Sequence, residues 1–107
     1  MIDILGNNQM NQEELALYKA KSEIFKALAH PTRLWIVESL ATGERCVQEF
    51  VNKLNLDFST VSRHLLILRQ AGIVEDDKRG QKVFYHLKMP CVLDFIKCAM
   101  KAINERI

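Results

Sequence analysis

Apolar residues recur at helical spacing in five stretches of the chain, and between the fourth and fifth the pattern turns extended. The first stretch follows a short apolar start and polar Asn7, Asn8 and Gln9, so residues 1–10 read as a flexible arm. Asn11 with Glu14 three positions on has the form of a capping box, and Leu15, Tyr18, Ile24, Phe25 and Leu28 predict a helix through Ala29. Pro31 stops that helix and suits the first turn of the next, expected over Pro31 to Ala41 with Gly43 beyond its end. A third, short helix is expected from Val47 to Asn55, with Val47, Phe50, Val51 and Leu54 on one face. Asp57 is a good N-cap for a fourth. This helix should run to Ala71 and stop at Gly72, burying Val61, Leu65 and Leu68 in one stripe. Ile73 and Val74 then lead into the charged run Glu75 to Gly80, which reads as a turn, and Val83 to Leu87 is rich in branched and aromatic residues. Together they predict a β-hairpin. Pro90 opens the last helix, with Val92, Ile96, Ala99 and Ile103 in one stripe and Leu93 and Met100 in another.

The fold class expected is mainly α with a β-hairpin wing, a winged helix-turn-helix filling residues 1–107 as one domain. The chain has 107 residues, 49% of them hydrophobic, which allows one real core but leaves a small domain that a dimer would complete. The formal charge of +2 neither demands nor excludes a nucleic acid, because phosphate binding depends on where charges cluster. No stretch has the length of a secretory or membrane segment, so a cytoplasmic location away from membranes is expected, with Cys46, Cys91 and Cys98 as thiols. An odd cysteine count without CxxC spacing argues against a disulfide framework and a zinc ribbon. No catalytic Ser/His/Asp set, carboxylate pair or phosphate-binding glycine loop is legible, so an enzyme is not expected and no cofactor is required.

Two short helices meeting across Asn55-Leu56-Asp57, the second with an outer face of Ser59, Thr60, Ser62, Arg63, His64 and Arg69, make a reader of DNA. A helix fits the major groove, and small polar side chains near its start can approach base edges. No acidic residue lies between Thr60 and Val74. The helix N-terminus favours a phosphate, and a hairpin tipped by Lys78, Arg79 and Lys82 can lie over the adjacent backbone. Each feature alone is ordinary, since a helix with two arginines is usually a solvated face. The order of elements lifts the reading above the alternative, a winged-helix module that binds protein.

Three motifs carry a resemblance. The segments Phe25-Lys26-Ala27-Leu28-Ala29-His30-Pro31-Thr32-Arg33-Leu34, Ser59-Thr60-Val61-Ser62-Arg63-His64-Leu65 and Leu68-Arg69-Gln70-Ala71-Gly72-Ile73-Val74 resemble the ArsR/SmtB family of bacterial repressors, with a match extending through Gly80 to Leu87. The resemblance implies a homodimer joined by the first and last helices and bound to palindromic operator DNA. It also implies Ser59, Thr60, Ser62, Arg63 and His64 as the reading face, and release by a metal or thiol-reactive inducer. Phe58 departs from the family, which often has a polar residue such as glutamine there. Its ring either contacts a thymine methyl or, the preferred reading, tucks back against the third helix.

The inducer is less legible. Where the family's thiol sensor has the form Glu-Leu-Cys-Val-Cys-Asp-Leu, this chain has Glu44-Arg45-Cys46-Val47-Gln48-Glu49-Phe50, with one cysteine kept and Gln48 in place of the second. The family's Asp/His zinc site on the last helix lacks its histidine, although Asp94 is present. His30 and His86 read as structural or surface residues, and His64 as part of the DNA face. Cys91 and Cys98, with Cys46 as a third member, are either small buried hydrophobes or a soft thiolate site. In the second case trivalent arsenic or another soft metal ion is the inducer, with a redox or persulfide switch as the alternative.

Overall fold

The computed structural model describes residues 9–106, so the arm expected over residues 1–10 lies almost wholly outside the described residues. Helix α1 spans Gln12–Leu28. Asn11 caps it, accepting from the Glu14 amide at 2.8 Å while its own amide reaches the Glu14 carboxylate at 3.3 Å. Helix α2, Pro31–Ser39, starts with proline at a position whose N–H would go unused in any case. It ends two residues before the expected Ala41, because the chain tightens into a 3-10 turn, Leu40–Thr42. A two-residue strand, β1 (Arg45–Cys46), follows; the sequence pattern did not reveal it. Helices α3 (Val47–Leu54) and α4 (Phe58–Gln70) then form the helix-turn-helix. Strands β2 (Val74–Arg79) and β3 (Lys82–Leu87) form the wing, and α5 spans Val92–Arg106.

Most of the run read as a charged turn, Glu75 to Arg79, is strand. Arg79 pairs with Lys82 across a two-residue loop, Gly80-Gln81. Gly80 has φ +62°, the left-handed geometry that glycine adopts without a Cβ clash, and such loops match the twist of the strands they join. The three strands form one antiparallel sheet in the order β1-β3-β2. Arg45 pairs with Tyr85 and Cys46 with Phe84, so the wing is tied to the start of α3. The last helix begins at Val92 rather than Pro90; Pro90 and Cys91 sit in a turn whose carbonyls accept from Leu93 and Asp94.

Asn55 makes the turn between α3 and α4 with φ 55°, the one non-glycine residue with positive φ among those described. Its amide donates to the Val51 carbonyl at 3.0 Å, closing α3. Asparagine tolerates this conformation, whereas a branched side chain does not. Asn55→Val is expected to cost about 1–2 kcal/mol and Asn55→Gly much less, read from urea denaturation midpoints. Equal midpoints for the two variants would contradict the strain assigned to this turn.

The core lies between α2, α3, α4 and the sheet. Phe50, Ile36, Val37, Val61, Leu65, Leu68 and Ile73 are fully buried, so the expected stripe of α4 is the one the fold uses. The long helices are different. Residues 11–21 and 97–106 are all exposed. The Cα radius of gyration is 17.1 Å, against about 13 Å for a compact chain of this length. No described helix is long and apolar enough to cross a membrane.

Candidate nucleic-acid interface

The buried stripe of α4 dictates what the helix shows outside. With Val61, Leu65 and Leu68 held in the core, Ser59, Arg63, Leu66 and Gln70 fall on the opposite side and are exposed. Thr60, Ser62 and His64 flank that side and are partly covered. Arg63 takes part in no ion pair among the described residues, so its guanidinium is available to an external acceptor. The start of the helix is less suited to a phosphate than the bare dipole suggests. Asp57 stands at the N-cap, and its carboxylate accepts from the Ser59 hydroxyl at 2.6 Å. That hydrogen bond, with a second from Thr60, holds Asp57 below the usual carboxylate range.

His64 does not simply face outward. Its ring lies 4.6 Å from that of His30, and its Nδ1 is 3.3 Å from Arg33 Nη1. Arginine only donates, so His64 Nδ1 must be the accepting nitrogen of a neutral ring. His30 uses its own Nδ1 in the same way, accepting from the Thr32 amide at 3.1 Å to cap α2. Arg33 also donates to the Ala27 carbonyl at 2.6 Å, joining the end of α1 to the reading helix.

Burial first, then the charges of His30, Arg33 and Arg63, hold His64 below its ordinary value of 6.5. The unfolded chain therefore takes up the proton more readily than the folded one. Stability from this group is present above the ordinary value and is lost as the pH falls through the window beneath it. Melting midpoints are expected to fall between about pH 7 and about pH 5, and His64→Gln, whose carbonyl can still accept from Arg33, to flatten that fall. An unchanged profile in the variant would remove His64 from this account.

The wing separates its three basic residues. Side chains alternate along a strand, so Lys78 shares a face with Val83, while Arg79 and Lys82 lie on the other with Phe84. Arg79 is engaged within the chain. It forms a two-pronged pair with Glu44, donates to Asp77 at 2.9 Å, and stacks over Phe84 with its guanidinium 4.5 Å from the ring centre. Glu44 is correspondingly held below the carboxylate range by Arg79. Arg79 thus fastens the wing to the segment before β1. Lys78 and Lys82 are exposed and enter no ion pair among the described residues. Replacing either lysine with alanine is expected to flatten the salt dependence of DNA affinity by about 0.9 in the log–log slope for each phosphate left unneutralised. Arg79→Ala should change that slope less and the melting temperature more. Fluorescence anisotropy across a salt series reads the first quantity, and a slope that falls most for Arg79→Ala would reverse the assignment.

The thiols are not gathered. Cys46 is buried at the N-cap of α3, where its backbone N–H donates to the Glu49 carboxylate at 3.1 Å. Cys91 and Cys98 are exposed. No group of three His, Cys, Asp or Glu side chains among the described residues is placed to hold a metal ion. One chain therefore does not offer Cys46, Cys91 and Cys98 as a common three-thiolate site.

The exposure of Phe58 runs against the preferred reading of the sequence, and the tie of Arg33 was not legible in it. Phe58 does not tuck against α3; it is 60% exposed. Arg33 and its link to His64 depend on residues 31 positions apart, for which helical spacing carries no signal.

Comparison with known proteins agrees with this geometry. The model of the bacterial regulatory protein family arsR matches residues 30–76, from the cap of α2 into β2. An HTH-type transcriptional regulator of Methanocaldococcus jannaschii is 40% identical over 89 residues, 82% of this chain and 96% of that protein. The transcriptional repressor SdpR of Bacillus subtilis is 31% identical over 84 residues, 78% of this chain and 93% of that one. Among solved structures, the homodimeric winged helix-turn-helix DNA-binding domain of a possible ArsR-family regulator from Mycobacterium bovis superposes with a TM-score of 0.78 at 27% identity, covering 91% of this chain and 90% of that one. With the helix-turn-helix, the three-stranded wing and these relatives in agreement, the chain belongs to the ArsR/SmtB family of bacterial transcriptional repressors, which are DNA-binding proteins and not enzymes.

Proposed function

We propose that the protein acts as a homodimer that seats one α4 in each of two successive major grooves of a palindromic operator. The observation that carries the reading is the outer face of α4, which is exposed, free of acidic residues from Phe58 to Gln70, and centred on Arg63, whose guanidinium enters no ion pair among the described residues. Ser59, Thr60, Ser62 and Arg63 meet base edges in this arrangement. His64 supports the helix from its flank, and Lys78 and Lys82 meet phosphates. The dimer is supported by the apolar surface that one chain leaves uncovered. Leu17, Tyr18 and Phe25 on α1 and Phe95, Met100 and Ile103 on α5 are exposed, and a groove of about 760 Å³ runs between α1, α2 and α5. Two reading helices joined in this way should lie about 34 Å apart, one turn of B-DNA.

Release by a thiophilic inducer such as trivalent arsenic is assigned to Cys91 and Cys98 alone. Cys98 lies on α5, and Cys91 lies in the turn that leads into it. They flank Phe95, whose ring packs edge-on against Phe25 of α1 at 5.6 Å. A reagent bound to either thiol would press on the α1–α5 contact and so on the spacing of the reading helices. Cys46 is left out because it is buried as a helix cap.

Two measurements test the reading. Selection from a random duplex pool should enrich a palindrome, and sedimentation should give a dimer at micromolar concentration. Failure of either refutes the corresponding half. For the inducer, arsenite and peroxide are titrated into the operator complex of wild type, Cys91→Ser and Cys98→Ser. Loss of response to arsenite in either variant supports the assignment, response to peroxide alone makes the switch oxidative, and two variants that respond like wild type exclude these thiols.

A further inference from the structure

The exposed large apolar side chains fall into two groups. Leu15, Leu17, Tyr18, Phe25, Phe95, Met100 and Ile103 all lie on α1 and α5, and a second chain accounts for them. Phe58 stands apart at the first position of α4, 60% exposed, alongside Leu66 farther down the same helix. Phe58 is neither in the core nor among the partly buried residues packed against it. Its ring pairs with no other ring among the described residues. Nothing in the fold of one chain uses this aromatic, and the dimer surface is elsewhere.

Its immediate neighbours define the chemistry it would meet. Ser59 gives its hydroxyl proton to the Asp57 carboxylate at 2.6 Å. The lone pairs of Ser59 Oγ therefore remain to accept, and a negative charge sits beside them. Phosphate oxygens and the O6 and N7 acceptors of guanine are poor partners for such a surface. The major-groove edge of an A·T pair suits it, because thymine presents a methyl group and adenine an amino donor.

Resting on the DNA-binding reading above, we propose that Phe58 is a specificity-determining residue that packs its ring on the 5-methyl group of a thymine in each half-site. The adjacent Ser59 oxygen accepts from the amino group of an adenine beside it. The first turn of the reading helix thus selects A·T pairs by an apolar contact and an acceptor, while Arg63, one turn on, serves bases that offer acceptors.

The test removes single methyl groups. The full-length protein selects its own operator from a random duplex pool, and each dT is then replaced by deoxyuridine in symmetric pairs. Affinities are measured for wild type, Phe58→Ala and Phe58→Leu. For wild type, one position per half-site should show a loss of about fourfold per methyl, or about 15-fold for the symmetric pair. Phe58→Ala should bind the two duplexes equally at that position, and Phe58→Leu should keep part of the difference. Placing 5-methyldeoxycytidine there in place of deoxycytidine should strengthen wild-type binding and leave Phe58→Ala unmoved. Identical deoxyuridine profiles for wild type and Phe58→Ala would overturn the assignment while leaving DNA binding intact. A large fall in the melting temperature of Phe58→Ala would overturn it too, by giving the ring a structural role. A pool that yields no enriched sequence would overturn the DNA reading itself and this inference with it.

Discussion

Phe50→Ala is expected to lower the folding stability by about 3–5 kcal/mol, the range for truncating a fully buried phenylalanine. Phe50 has no exposed surface, lies in α3 against the stripe of α4, and meets Trp35 edge-on with ring centres 6.3 Å apart. The loss combines the transfer of the ring out of the core with a cavity that the surrounding helices cannot close without moving the reading helix. Small domains have about 5–15 kcal/mol in total, so the variant should unfold at a markedly lower urea concentration. The same chemical change at exposed Phe58 is expected to stay within about 0.5 kcal/mol. Midpoints that fall equally for the two variants would contradict the burial that separates them.

The second large effect concerns the dimer. Phe95→Glu should leave a folded monomer, because Phe95 is 59% exposed and the ring it meets edge-on, Phe25, is itself exposed and outside the core. A glutamate there places a charge in the centre of the proposed interface with no partner to receive it. Operator affinity is expected to fall by about 10²- to 10⁴-fold, the advantage that linking two half-site contacts confers. Sedimentation and anisotropy with the selected operator read both quantities. A dimer of wild-type affinity would move the interface away from α1 and α5.

Much of this was legible in the sequence, for a physical reason. Val61, Leu65 and Leu68 lie at helical spacing and are buried together, so periodicity located α4 and, by subtraction, its outer face. The hairpin was legible but most of strand β2 was read as its turn, because only Val74 at the start of the strand is buried. Its remaining residues are held by pairing with β3 and by ion pairs such as Arg69–Asp76 at 3.4 Å, which leave no alternation of apolar and polar positions. Strand β1 is too short to carry any pattern. Spacing also gave no sign of the difference among Lys78, Arg79 and Lys82, since the pairing register and the distant Glu44 are what set Arg79 apart. His64 lies on the helix that periodicity gave it, but the ring of His30 that turns it sideways comes from another element. Phe58 shows the limit most clearly. Spacing places a side chain on a helix, whereas its cover depends on what the rest of the fold brings near.

The order of the sheet has a consequence for how copies of this protein meet in a crowded cell. An open β-sheet has two borders, each a row of unused backbone donors and acceptors that invites another chain to add a strand. Here one border is β1, only two residues long. The other is β2, whose exposed positions run Glu75-Asp76-Asp77-Lys78-Arg79. A brief border and a border of consecutive charges both discourage strand addition, so the sheet is a poor template for aggregation or strand exchange. Association is left to the exposed apolar side chains of α1 and α5, the surface proposed above to join two chains, where pairing would bury a finite surface and then stop.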